Sequence, residues 1–123
     1  MPSNRVFFSF AKSDIDAAFQ AASPKIQYRG LKLLQSLDHP KHGKLLIVIP
    51  RACGKAHDRN RIRRQLRAIF YEHQLYQNKT VWILLVRKDA LALDFATLTQ
   101  FLTKACGRGS ENGSRVPPKV APG

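Results

Sequence analysis

Seven cationic side chains lie between positions 51 and 67, namely Arg51, Lys55, Arg59, Arg61, Arg63, Arg64 and Arg67, and within that stretch only Asp58 opposes them. A guanidinium is a planar fork that donates in pairs to phosphate oxygens and stacks on bases, whereas an ammonium acts more as a point charge. The preference for arginine therefore favours a phosphate-rich partner. Asn60 sits among these residues, and its amide can donate to a phosphate or base and accept in return; first-turn capping is its plainer use. Charge on an amphipathic helix is usually a solvated face of mixed sign. Here the next acid after Asp58 is Glu72, so the i,i+4 partners of a merely solvated helix are missing. Five arginines in the nine residues 59–67 read as a docking surface for a polyanion.

Other chemistry is poorly provided for. A protein-based nuclease needs clustered carboxylates for a metal or a histidine pair for acid–base work, but the acids are scattered, and Asp14 and Asp16 are two apart on a helix and face apart. His39 and His42 could join Cys53 and His57 around zinc, yet one His-x-x-His spacing is weak support. No glycine-rich phosphate loop, nucleophile elbow or dinucleotide fingerprint occurs. The expectation is no protein catalytic residue and no protein metal site. The 123 residues suit one domain. Their 21 Lys and Arg against 8 Asp and Glu give a formal charge of +13, a self-repulsion that a polyanion relieves. No apolar run approaches the roughly 20 residues of a spanning helix. The N-terminus also lacks a basic segment followed by a long apolar one, so nucleic acid is favoured over membrane and a cytoplasmic location is expected. Cys53 and Cys106 read as two small buried thiols in a reducing compartment.

The surface has to be held by the elements around it. From about His57 to His73 the apolar residues Ile62, Leu66, Ile69 and Phe70 recur at i, i+4, i+7 and i+8. This predicts an amphipathic helix that packs with one side and offers Arg61, Arg63, Arg64 and Arg67 with the other, with Arg59 at the boundary. Upstream, Ser13 or Asp14 caps a helix that places Ile15, Ala18, Phe19 and Ala22 on one face, with Pro24 just beyond its end. Residues 31–37 alternate as a half-buried strand, and residues 38–43 suit a hairpin loop. Residues 44–49, closed by Pro50, are a nearly continuous apolar run, as in a central strand covered on both faces. Residues 80–86 are a third, buried strand. Asp94 caps a last helix with Phe95, Leu98, Phe101, Leu102 and Cys106 on one face.

Residues 107–123 change to Gly, Ser, Pro, Asn and the basic Arg108, Arg115 and Lys119, which predicts a disordered basic tail after a single domain over 1–106. The order helix, strand, strand, helix, strand, helix, with room for a short extra strand, describes a two-layer α+β domain.

The run from Gly54 through Arg59-Asn60-Arg61 to Arg67 resembles the Arg-Asn-Arg signature region of the bacterial ribonuclease P protein component. Similar register appears from Asp14 to Phe19 and from Leu91 to Phe95, so the resemblance covers roughly residues 5–106. It implies an α/β sandwich of ribosomal-protein-like type with a left-handed crossover between parallel strands, where the general rule predicts the opposite hand. It also implies a ribonucleoprotein endonuclease in which an RNA subunit, using Mg²⁺, hydrolyses precursor tRNA at the mature 5′ end. The partners would be that RNA and precursor tRNA, with no obligate protein partner. Arg59, Asn60, Arg61, Arg63, Arg64 and Arg67 match the signature helix facing the RNA, with Arg51 and Lys55 on its approach. A cleft between the first helix and the sheet would hold the single-stranded 5′ leader against Ile15, Phe19, Gln35 and Val48. Ile15 stands where the family often has Phe, Gln35 falls near an aromatic position, and Pro50-Arg51-Ala52 replaces a Ser-Lys-Lys type of sequence, so stacking is expected to be weaker or shared. A ribosome-associated RNA-binding module and a DNA-binding regulator are the alternative readings.

Overall fold

The structure, a computed structural model, describes residues 4–39 and 41–106. Its most deeply placed strand is the last one. β4 (Thr80–Val86) is buried at every position except the half-buried Leu85, because it has a strand on either side and helices over both faces. The sheet order is β1-β2-β4-β3, with β1 at Ser23–Tyr28, β2 at Leu31–Asp38 and β3 at Lys44–Val48. β1 and β2 are antiparallel, as are β2 and β4, while β3 and β4 run parallel. Parallel neighbours need a crossover, and here it is the helix α2 (Ala56–Glu72).

Strand register assigns each side chain to a face. Leu33 is opposite Leu84, and Leu45 is opposite Trp82. This face carries α2 and α3 (Phe95–Cys106), and its core joins Ile62, Leu66, Ile69 and Phe70 to Leu98 and Leu102. The i, i+4, i+7, i+8 spacing thus does what an apolar stripe should, sealing one side of α2 against the sheet. On the other face Leu34, Ile83 and Leu46 lie in one row, partly covered by α1 (Lys12–Ala21), which presses Ala18 onto Val81 and Ile83.

Several expectations are corrected. Residues 38–43 do not join a hairpin, because β4 lies between β2 and β3. The hairpin is β1–β2, turned by Arg29 and Gly30 at φ 35° and 88°, a two-residue turn whose twist suits paired strands. Gly30 is required there, since a Cβ would also meet the Ala90 nitrogen at 2.6 Å. The run 44–49 is an edge strand and not a central one. It stays apolar because the N-terminal 3-10 turn (Asn4–Phe7) packs beside it, and Phe7 stacks on Tyr76 at 4.3 Å. Pro24 lies within the edge strand β1, where no ladder donor is needed.

Helix ends also differ. Ala11 occupies the N-cap of α1, and Asp14, inside the first turn, accepts from the Ala11 N–H at 3.1 Å; Ala22 falls outside the helix. Asp94 does cap α3, accepting from the Thr97 N–H at 2.8 Å, and hydrogen bonding from the Thr97 side chain and then its backbone holds the Asp94 carboxyl below the usual range. Phe95, however, is exposed, not part of the packed face. Both cysteines are buried. The expected tail at 107–123 lies outside the described residues.

Leu66 has no exposed surface, so Leu66→Ala should cost about 2–5 kcal/mol in urea unfolding. Arg64→Ala, on the opposite side of the same helix, should change stability by no more than about 0.5 kcal/mol.

Candidate nucleic-acid interface

Two surfaces follow from this arrangement. The first is the outer side of α2. Asn60, Arg63, Arg64 and Arg67 are spaced i, i+3, i+4 and i+7, and so line one stripe roughly opposite the buried set. Arg63 donates to the Asn60 side-chain oxygen at 3.0 Å, a neutral partner that aims the guanidinium without cancelling its charge. Arg67 lies over the Phe8 ring, 5.3 Å from its centroid. Partial burial, and then the charge of Arg63, push the Arg67 guanidinium below its ordinary range, although an arginine stays charged at neutral pH. Arg64, Arg51 and Lys55 are exposed.

Two of the predicted residues are committed to the protein itself. Arg59 donates through Nε to the Gly54 carbonyl at 3.1 Å, fixing the approach to the helix. Arg61 projects to the other flank of α2, where it donates to the Leu91 carbonyl at 2.9 Å and contacts Asp58 at 3.3 Å. That contact is the one ion pair among the described residues. The expected row of free arginines therefore excludes Arg61, which ties α2 to the 3-10 turn Lys88–Ala92.

The second surface is a groove on the α1 side of the sheet. Coverage falls along β4: Val81 and Ile83 are buried, and Leu85 is only half-buried. The row Lys32, Leu85, Val48 is thus left open where α1 stops. Ile15 is half-buried on α1, and Phe19 is 42% exposed and outside the core. Val48 belongs to this face, but Gln35 does not: it is paired with Trp82, which points into the α2 side. Ser36 takes the inward position instead, donating to the Ala18 carbonyl at 2.6 Å. Strand alternation settles this, and an aromatic-position match cannot. Leu34, Leu46 and Leu85 of the groove floor, and Lys32 at its open end, were not singled out from sequence. Their alternation was masked by the apolar runs on both faces.

His39 is disfavoured as a cation. Burial, followed by His42, Lys44 and Lys41, lowers the His39 pKa, and its Nδ1 accepts from the Lys41 N–H at 3.1 Å. Among the described residues, no three His, Cys, Asp or Glu side chains converge as a metal site.

A family model described as Ribonuclease P matches residues 10–109. The chain belongs to the ribonuclease P protein family. It is 38% identical over 85 residues to the ribonuclease P protein component of Pectobacterium atrosepticum, covering 69% of this chain and 68% of that one. The same protein of Yersinia enterocolitica is 36% identical over 85 residues, with the same shares of both chains. The fold is similar to that of the RNase P protein from Thermotoga maritima, with a TM-score of 0.70, 23% identity, and coverage of 82% of this chain and 96% of that chain. The Staphylococcus aureus RNase P protein gives a TM-score of 0.65 at 18% identity, covering 80% and 91%. The chain's role is accordingly that of the family, the processing of tRNA 5′ leaders together with an RNA subunit.

Because Arg61 bridges two elements and Arg64 bridges none, Arg61→Ala should lower unfolding free energy by about 1 kcal/mol. Thermal or urea unfolding of the two variants side by side checks this assignment.

Proposed function

We propose that the free arginine stripe of α2 docks on the folded RNA subunit, and that the open groove takes the single-stranded 5′ leader of precursor tRNA. The observation that carries the reading is the stripe itself. Asn60, Arg63, Arg64 and Arg67 share one side of a helix whose other side is buried, with no carboxylate paired to them among the described residues. A surface that lacks its own counter-charges is completed by an external polyanion, and folded RNA offers phosphates at a density that suits it.

The groove supports the second half of the reading. Its floor is apolar, Phe19 of the covering helix α1 is exposed, and Lys32 lies at its open end. Stacking on an aromatic ring tolerates any base, which suits leaders of varying sequence. Side chains of this chain bind and orient the substrate. We assign Mg²⁺, and the hydrolysis of the phosphodiester bond, to the RNA subunit. The cytoplasm is the matching location, and no helix among the described residues is long and apolar enough to cross a membrane.

Mixing the protein with bacterial ribonuclease P RNA should raise cleavage of precursor tRNA at physiological Mg²⁺ above that of the RNA alone; no gain would remove the reading. Arg64→Ala should weaken binding to that RNA and reduce the salt slope by about one counterion. Phe19→Ala should weaken binding of precursor tRNA relative to mature tRNA by about 1–3 kcal/mol. Equal weakening of both would make Phe19 a packing residue.

A further inference from the structure

The β1–β2 turn holds Arg29 at φ 35°, a left-handed conformation that Gly, Asn or Asp adopts at lower cost than a long side chain. Among the described residues the Arg29 guanidinium makes no hydrogen bond or ion pair and lies against the neighbouring Tyr28 ring, 5.8 Å from the centroid. Tyr28 is itself 44% exposed. A strained backbone position without a packing role is a sign that the side chain serves a partner.

The surroundings indicate which partner. Lys32 near the start of β2, and Arg87 and Lys88 after β4, are all exposed. The Arg87 N–H donates to the Gly30 carbonyl at 2.8 Å, pinning the hairpin tip to the end of β4. Asp89 approaches Gly30 as well, yet no ion pair forms at the tip among the described residues. The Lys88–Ala92 turn then connects this tip to the basic start of α2. Ala90 and Asp89 pack on Gly30, a Cβ at Gly54 would meet the Leu91 side chain, and the Leu91 carbonyl accepts from Arg61. The turn therefore holds the hairpin tip against the segment that leads into α2.

We propose that Tyr28 and Arg29 form a second RNA contact, at which an unpaired nucleotide stacks on the ring while the guanidinium meets its phosphate. The proposal rests on the RNA-binding reading above. Single-stranded RNA fits better than a duplex, because an exposed ring needs an unstacked base to meet.

Arg29→Asn removes the charge and leaves a residue that tolerates the turn. Its thermal midpoint should hold or rise, while affinity for an oligouridylate probe falls roughly fivefold or more and the salt slope drops by about one. Tyr28→Leu should weaken the same probe without changing the salt slope, and should leave binding of a fully paired RNA duplex unaltered. Wild-type affinity for oligouridylate in both variants would overturn the proposal. Equal losses for single strand and duplex would do the same, reducing the tip to a nonspecific charge. If the wild-type protein fails to stimulate the RNA subunit, the functional reading fails. If it stimulates while both variants bind oligouridylate normally, only the hairpin contact fails.

Discussion

Burial of one side of α2 is the constraint on which the rest of the molecule depends. Ile62, Leu66, Ile69 and Phe70 are sealed against β4 and α3, and this holds Arg63, Arg64 and Arg67 in a row despite their mutual repulsion. An isolated helix with so many like charges at i,i+3 and i,i+4 would be disfavoured. Tertiary packing overrides that preference, and a surface is presented that only an external anion completes. The lowering of the Arg67 pKa by burial and by Arg63 is the local signature of this tension.

The same packing governs the placement of the groove. Because α2 and α3 occupy one face of the sheet, the other is left to α1, which is too short to cover it. Ala18 seals Val81 and Ile83, and coverage ends before Leu85 and Val48. A small residue at position 18 lets α1 approach closely, while Phe19 beside it remains outside the core. Core and groove are thus two consequences of one helix meeting half of a sheet.

Arg61 illustrates how a signature can mix roles. Within Arg59-Asn60-Arg61, the first and last residues donate to the carbonyls of Gly54 and Leu91, and the middle one orients Arg63. These bonds keep the start of α2 in register with the approach segment and with the turn after β4. The triplet is thereby a brace for the cationic surface as much as a part of it.

What the sequence determined by itself were the elements with strong periodicity or strong charge. α2, β4 and the Asp94 cap follow from spacing, β-branching and side-chain capping chemistry, all of which are local. The polyanion-binding character follows from composition. The tertiary structure alone decided which strand is central. Residues 44–49 and 80–86 are both apolar, yet the first is an edge shielded by Phe7 and its neighbours, and the second is flanked on both sides. Strand order depends on long-range pairing that no local pattern encodes. The same reason removes Gln35 from the groove and puts Ser36 there, since the register with β4 decides which way each β2 side chain faces. The bond from Arg61 to the Leu91 carbonyl is invisible in the sequence, because the two residues are distant along the chain and close only after it has folded.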